Sequence, residues 1–301
     1  MTYFGIDNNK LELMRLDKIA QKYPIPYISY SQLNTFLQCK ESWRLTYRAE
    51  KFQRLGNKYT ELGSVLHDIF EAQGKALIFD SEKPFTIEQA FKQYNQAFMK
   101  IDKAHFTDKE DWVKMYQKGV TAIESYYSVY AEVSPLYVEK QHKVKIGEGI
   151  PEVKGFIDRI DGDPDDPSTW IVTDYKTGSS PKDKKYLRKD FQLGLYASQI
   201  FAVHGVYPKA VQFFHPVPNK LQTAVHQGDG VYKFQGQRAP VVEFSVADTI
   251  ITVRETVQEI IKTIEEEGFK KEPESFKCKM CFHYQAGTCK PFDKVQEGWN
   301  W

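Results

Sequence analysis

The chain has 301 residues, 41% of them hydrophobic and 14% aromatic, enough apolar surface for a substantial core in one large domain or one domain with helical additions, and too much for a disordered chain. Its formal net charge of +1 excludes a global attraction to polyanions, so contact with nucleic acid has to rest on local clusters of Lys and Arg. No uncharged run approaches the ~20 residues of a membrane span, and the N-terminal segment lacks a basic start followed by an apolar core, so a cytoplasmic protein without membrane contact is expected.

After a polar extension ending at Pro24 and Pro26, the segment SYSQLNTFLQCKESWRLTYR predicts one helix. Ser29 or Ser31 caps it, Leu33, Phe36, Leu37 and Leu45 give helical spacing, and Cys39 lies on it. Further helices are predicted within ELGSVLHDIFEAQGKAL, IEQAFKQYNQAFMKI and DWVKMYQKGVTAIESYYSVYAEV. The character then changes. LYVEKQHKVKI, VKGFIDRID and WIVTDYKTG are short, rich in β-branched and aromatic residues, and read as consecutive strands. DFQLGLYASQIFAVHG returns to helical periodicity, KAVQFFHPV reads as another strand, and VADTIITVRETVQEIIKTIEEEG reads as a long amphipathic helix ending at Gly268. A cysteine-rich tail follows, and the chain closes on GWNW, whose Trp299 and Trp301 are candidates for docking on a partner or packing onto the domain.

In IVTDYKTG, Asp174 and Lys176 are two apart, so both side chains leave one face of the strand while Tyr175 leaves the other. The preceding strand offers Asp158 and Asp161, and the acidic linker DGDPDDPSTW folds the two strands back as neighbours. Carboxylates that hold a hard divalent cation, beside a lysine that positions a water, suit phosphodiester hydrolysis. Taken alone, the Asp174 and Lys176 pair reads first as an exposed strand pair worth about 0.2–1 kcal/mol. Asp158 and Asp161 are three apart, so only one faces the site if the strand is regular, and the pattern leaves the choice open. Asp161, Asp163 and Asp165 resemble the start of a calcium loop, but Asp166 stands at its glycine position and Val172 at its glutamate position, which rejects that reading.

Gln192, Tyr196 and Gln199 share one face of the following helix. Between strand and helix, Lys182, Lys184, Lys185, Arg188 and Lys189 crowd together, either as a solvated face or as an electrostatic footprint for DNA. His67 sits among apolar residues at helical spacing, which suits a hydrogen-bonded core residue. If it reaches the carboxylates, the site becomes mixed imidazole and carboxylate and favours manganese over magnesium, with Glu71 one turn on to orient the ring. Cys278, Cys281 and Cys289 form a C-x2-C-x7-C pattern, and Cys39 is the only other cysteine. In a reducing compartment such a set points to metal ligation by zinc or an iron-sulfur cluster, with His283 able to replace one ligand at a zinc site. Joining Cys39 to the tail removes roughly 5 kcal/mol of unfolded-state freedom by analogy with disulfide loop entropy, so the link is expected to be structural.

Taken together, these motifs resemble the RecB-like nucleases of the PD-(D/E)XK superfamily, in particular the iron-stapled subgroup of the AddB subunit and the CRISPR-associated spacer-processing exonucleases. The likeness runs from SYSQLNTFLQC to CKMCFHYQAGTC. It implies an α/β fold: a restriction-endonuclease-like core with a mixed central sheet flanked by helices, an N-terminal helical part and a C-terminal iron-sulfur motif. It also implies an extension over 1–27 and a single nuclease domain over 28–301, with 28–135 mainly helical, 136–220 the catalytic sheet core and 221–301 the C-terminal helix and cysteine cluster. His67, Asp158 rather than Asp161, Asp174 and the backbone carbonyl of Tyr175 then correspond to ligands of manganese or magnesium. Lys176 corresponds to the catalytic lysine, and Gln192 and Tyr196 to its helical partners. Glu139 falls where some relatives carry an additional acid. Cys39, Cys278, Cys281 and Cys289 correspond to the ligands of a [4Fe-4S] cluster, with zinc as the alternative. The implied activity is exonucleolytic hydrolysis of DNA, single-stranded or with single-stranded ends, in recombination, repair or end processing in a bacterium or phage, with a helicase or recombination protein as a candidate partner. The competing reading is a DNA-binding or complex-forming iron-sulfur subunit that contributes little catalysis.

Overall fold

The computed structural model describes residues 25–49, 56–79 and 85–292; the predicted extension up to Pro24, and Trp299 and Trp301, lie outside them. The chain divides into two compact units, one made of Met1–Leu55, Glu148–Pro151 and Val253–Trp301, the other of Gly56–Gly147 and Glu152–Thr252.

The first unit opens with α1, Tyr30–Gln38, and α2, Lys40–Tyr47. The single helix expected here breaks at Cys39, whose backbone is extended at φ −166° and ψ 115°. The cysteine therefore stands at a corner between helices. Ser29 is the cap, accepting from the Gln32 N–H at 3.2 Å. Leu33, Phe36 and Trp43 are buried, but Leu37 is exposed, because it lies roughly 100° round the helix from Phe36. Trp43 stacks on Phe269 and meets Phe36 edge-on.

The second unit begins with α3, Lys58–Phe79, where the Asn57 side chain accepts from the N–H groups of Tyr59 and Thr60. A capping box of Thr86 and Gln89 starts α4, Ile87–Phe98, and Asp108 caps α5, Lys109–Tyr130. These helices enclose an aromatic-rich cluster that includes Phe70, Tyr94, Phe98, Tyr126 and Tyr130, into which Tyr175 and Phe214 project from the sheet.

The sheet has seven strands in chain order: β1 Tyr137–Val144, β2 Val153–Asp163, β3 Asp166–Tyr175, β4 Ala210–His215, β5 Lys220–Gly228, β6 Val231–Phe234 and β7 Glu243–Ser245. The acidic linker turns β2 into β3 as an antiparallel pair. β3 and β4 are parallel and all other neighbours antiparallel, and a parallel pair requires a crossover. That crossover carries α6, Lys184–Leu187, and α7, Gln192–His204. Leu193, Tyr196, Ala197 and Ile200 of α7 belong to the core cluster with Ile157, Ile160, Trp170 and Val172 of the sheet.

A mixed sheet flanked by helices is the predicted class. The strands β5 to β7 run from Lys220 onward, almost wholly in the stretch over 221–301 where a C-terminal helix and the cysteine cluster are expected. In β5 only Ala224 is fully buried, so it lacks the hydrophobic alternation that marks a strand. Next comes α8, Val246–Glu265, which begins in the second unit and ends in the first. A Cβ on Gly194 would lie 2.1 Å from the Thr249 hydroxyl, so a glycine is what lets α7 pass so close to this helix. The tail forms two short helices, α9 Ser275–Met280 and α10 Phe282–Gln285. No helix among the described residues is long and apolar enough to cross a membrane.

Candidate functional site

Three carboxylates stand side by side on the first three strands. Val138 faces Arg159 and Lys140 faces Ile157, so Glu139 stands opposite Asp158. Arg159 in turn faces Thr173, which sets Asp158 opposite Asp174. Glu139 has the left-handed φ of 47°, a conformation that costs a non-glycine residue roughly 1–2 kcal/mol. In that kinked position its carboxylate is 3.8 Å from His67 Nδ1, and Asp158 Oδ1 is 3.5 Å from the same nitrogen. Among the described residues, His67, Glu139 and Asp158 form the one group of three such donors lying within 4.8 Å of one another. The Tyr175 backbone N–H donates to Asp158 Oδ2 at 2.6 Å, so the main chain of Tyr175 lies against this group while its ring faces the aromatic cluster.

Asp161 is engaged elsewhere. The fully buried Arg159 donates to it at 2.8 and 2.9 Å and stacks over Tyr130. The structure therefore puts Asp158, and not Asp161, at the carboxylate cluster. Glu71 does not orient His67 either: His67 and Lys75 both lie one turn from it on the same face of α3, and its carboxylate pairs with Lys75 at 2.5 Å.

Asp174, at the end of β3, is held from two sides. Its Oδ1 accepts from Gln192 Nε2 at 2.7 Å and from the Tyr196 hydroxyl at 2.9 Å, and Gln192 also donates to that hydroxyl. Its Oδ2 is sealed from solvent and forms an ion pair with Lys176 Nζ at 2.6 Å. Such an oxygen has a lone pair left for a cation. The third polar residue of the helix face, Gln199, donates instead to the Val153 carbonyl and braces the sheet.

Charges in the cluster shift one another. Burial pushes the Asp158 carboxyl above the usual carboxylate range; His67 opposes this and Asp174 reinforces it. For His67, burial disfavours the charged ring, but Asp158, Glu139 and Asp174 outweigh it and raise its pKa to about 10. Lys176 is likewise raised, burial opposing and Asp174 prevailing. The common cause is concentrated negative potential in a partly desolvated place, which attracts a cation. Imidazole and carboxylate donors together suit manganese or magnesium.

A model of the PD-(D/E)XK nuclease superfamily matches residues 27–285. The chain belongs to this superfamily. Nucleases of the superfamily are phosphodiesterases that use divalent metal ions, and the carboxylate cluster is where this nuclease has the donors for one. No curated protein matches the chain.

Among the basic residues that follow the strand in this nuclease, the structure separates one from the rest. Lys182 pairs with Asp190, and its Nζ lies 3.8 Å from the centroid of the Phe213 ring, which Lys176 Nζ approaches from 5.3 Å. Burial lowers the Lys182 pKa against the pull of Asp190. Lys184 donates to the carbonyls of Arg238 and Pro240, while Lys185, Arg188 and Lys189 are exposed. Asp190, not among the residues expected at the site, also accepts the Gln192 N–H at 2.8 Å and so fixes the start of α7. An acidic residue just ahead of a helical run was the available signal.

The four cysteines are all in the first unit and line one cavity, together with Ser42, Lys271 and His283 among others. None of the four is in a disulfide. Burial raises the Cys289 pKa, with Lys271 opposing and Glu41, Cys39 and Cys281 reinforcing. His283 is buried, and its Nε2 is 2.9 Å from the Thr46 hydroxyl; its carbonyl accepts the Cys289 N–H. The histidine thus braces the cysteine loop and lines the same cavity.

Proposed function

We propose that this nuclease is a metal-dependent deoxyribonuclease of the RecB-like branch. It acts as an exonuclease on DNA that is single-stranded or has single-stranded ends, in recombination, repair or end processing in the cytoplasm of a bacterium or a phage-infected cell. The observation that carries the reading is the alignment of Glu139, Asp158 and Asp174 across adjacent strands, with His67 and Lys176 at the same carboxylates.

In this reading His67, Asp158, Asp174 and the Tyr175 carbonyl hold manganese or magnesium, and Glu139 serves as an additional acid. A divalent cation at these donors supplies a water of lowered pKa and charge neutralisation at the phosphate. Lys176, kept protonated by Asp174, orients that water and balances the charge that builds on the phosphate oxygens. Gln192 and Tyr196 fix the carboxylate of Asp174 so that its second oxygen stays available. Lys182, on the same aromatic ring as Lys176, meets a neighbouring phosphate of the strand, and Lys184, Lys185, Arg188 and Lys189 extend the basic surface.

Cys39, Cys278, Cys281 and Cys289 hold a [4Fe-4S] cluster that ties α1 and α2 to the tail. Support comes from their convergence: four residues from two ends of the chain line one cavity, a set of thiols that suits an iron-sulfur cluster or zinc. A helicase or recombination protein is the partner such an enzyme would serve.

The test is anaerobic purification read by visible absorbance and by iron and sulfide content, followed by incubation with end-labelled single-stranded DNA and manganese. A brown protein that shortens the DNA, and stops on Asp174→Ala or Lys176→Ala, is the expected result. Manganese activity should equal or exceed magnesium activity, and a magnesium-only requirement counts against His67 as a ligand. Undiminished cutting by Lys176→Ala refutes the catalytic assignment. Loss of DNA affinity without any cutting by the wild type supports a binding subunit instead, and a colourless, iron-free protein removes the cluster.

A further inference from the structure

The second unit contains a pocket of about 320 Å³ between β1 and the C-terminal end of α7, lined by Tyr137, Lys140, His142, Lys143, Trp170 and His204 among others. This is within the size range of small-ligand sites. Three features show what it would accept. The first is His142, which is buried, 6% exposed, and whose Nε2 is shut off from solvent with no hydrogen-bond partner. A polar nitrogen in that condition is rare unless something else occupies the place beside it. The second is charge: Lys140 holds its ammonium 4.2 Å above the Tyr137 ring, on the same face of β1 as His142. The third is aromatic surface. Tyr137 and Trp170 meet edge to face at 5.9 Å, and the His204 ring stands against Trp170 at 4.8 Å.

We infer that this pocket is a nucleotide subsite: it takes one nucleoside monophosphate unit, its phosphate at Lys140, its base against the aromatic wall of Tyr137 and Trp170, and its polar edge at His142. Aromatic faces suit any nucleobase, and ammonium groups read the phosphate without regard to sequence. The unit has two sources, an unpaired nucleotide of the strand being cut or a mononucleotide already released. Gln192 and His204 bound the same helix and are twelve residues apart (204 − 192), which places the pocket roughly 18 Å along α7 from the carboxylate site. The strand source rests on the nuclease reading given above; the mononucleotide source does not.

The experiment is isothermal titration of the full chain in EDTA, where no cutting occurs, with dTMP, thymidine, inorganic phosphate and a 5′-phosphorylated dT12 as separate probes. Lys140→Ala and His142→Gln are compared with the wild type and with Asp174→Asn. If mononucleotide is the source, dTMP binds more tightly than thymidine or phosphate, and each pocket variant weakens it tenfold or more while Asp174→Asn leaves it unchanged. If the strand is the source, dT12 rather than dTMP shows that tenfold loss. Lys140 is solvent-accessible, so its variant answers the question even if His142→Gln folds poorly. Unchanged binding of both probes by Lys140→Ala overturns the proposal. Failure of the nuclease reading is seen separately, as absence of cutting with manganese, and leaves the dTMP result standing.

Discussion

The two aspartates of GFIDRID give the sharpest test of how the site is built. Arg159 is wholly buried and its charge is met by Asp161, through Nε at 2.8 and 2.9 Å and NH2 at 2.7 Å. Removing one partner of a buried pair costs roughly 3–5 kcal/mol. The Asp161 side chain is 16% exposed, asparagine keeps one acceptor, and Arg159 retains the Val133 carbonyl and the Tyr130 ring. Asp161→Asn should therefore cost about 2–3 kcal/mol, which at about 2–4 °C per kcal/mol for a large domain is a fall of roughly 5–10 °C in Tm. Asp158→Asn should behave in the opposite way. Asp158 is a buried carboxylate beside two others, and burial already strains its charge, so the asparagine variant in EDTA should melt at or above the wild-type temperature. Its manganese-dependent cutting of end-labelled DNA should be abolished, while Asp161→Asn below its Tm cuts at near the wild-type rate. Thermal denaturation and single-turnover cutting on the same preparations decide the matter. A stable, inactive Asp161→Asn beside an unstable, active Asp158→Asn would refute the assignment of the two roles.

Tyr196→Phe removes one of two donors to Asp174 Oδ1, a charge-assisted bond worth about 1.5–3 kcal/mol; the single-turnover rate should fall ~10- to 100-fold, and an unchanged rate means that Gln192 alone suffices. Glu139→Gly and Glu139→Gln should weaken manganese binding alike in calorimetry, but only the glycine variant relieves the left-handed backbone, which less its entropic cost is about 0.5–1 kcal/mol of added stability. Burial, with Lys140 and His204, lowers the His142 pKa from 6.5 to about 4. Because the folded value lies below the unfolded one, the neutral ring contributes stability that is present above pH 6.5 and lost as pH falls towards 4, on the order of 2–3 kcal/mol. Urea midpoints should drop over that window in the wild type and much less in His142→Gln; equal slopes would count against the burial argument.

Much of this protein was legible from local pattern. The periodicities of α3 to α5, the short strands around GFIDRID and VTDYKTG, and the two-residue spacing of Asp174 and Lys176 each follow from the repeat of a helix or strand, which the order of side chains alone specifies. What failed depended on neighbours distant in sequence. The strand β5 hides behind polar residues because its pairing with β4 and β6 supplies the hydrogen bonds that its side chains do not advertise. The helix expected across Cys39 breaks where the corner faces the tail cysteines of the same unit.

The site divides in the same way. Sequence spacing could place Asp158 and Asp161 on opposite faces but could not say which face held the metal donors. Only the burial of Arg159 consumes Asp161, and only the register of β1 on β2 brings Glu139 to Asp158. The isolation of Lys182 from four similar cations likewise depends on Phe213 and Asp190, which its own segment does not reveal. The sequence by itself determined which residue types this protein has for metal and phosphate chemistry, and on which elements. Tertiary structure decided which of them meet, because pairing across strands and burial of counter-charges are set by contacts between segments that no local repeat encodes.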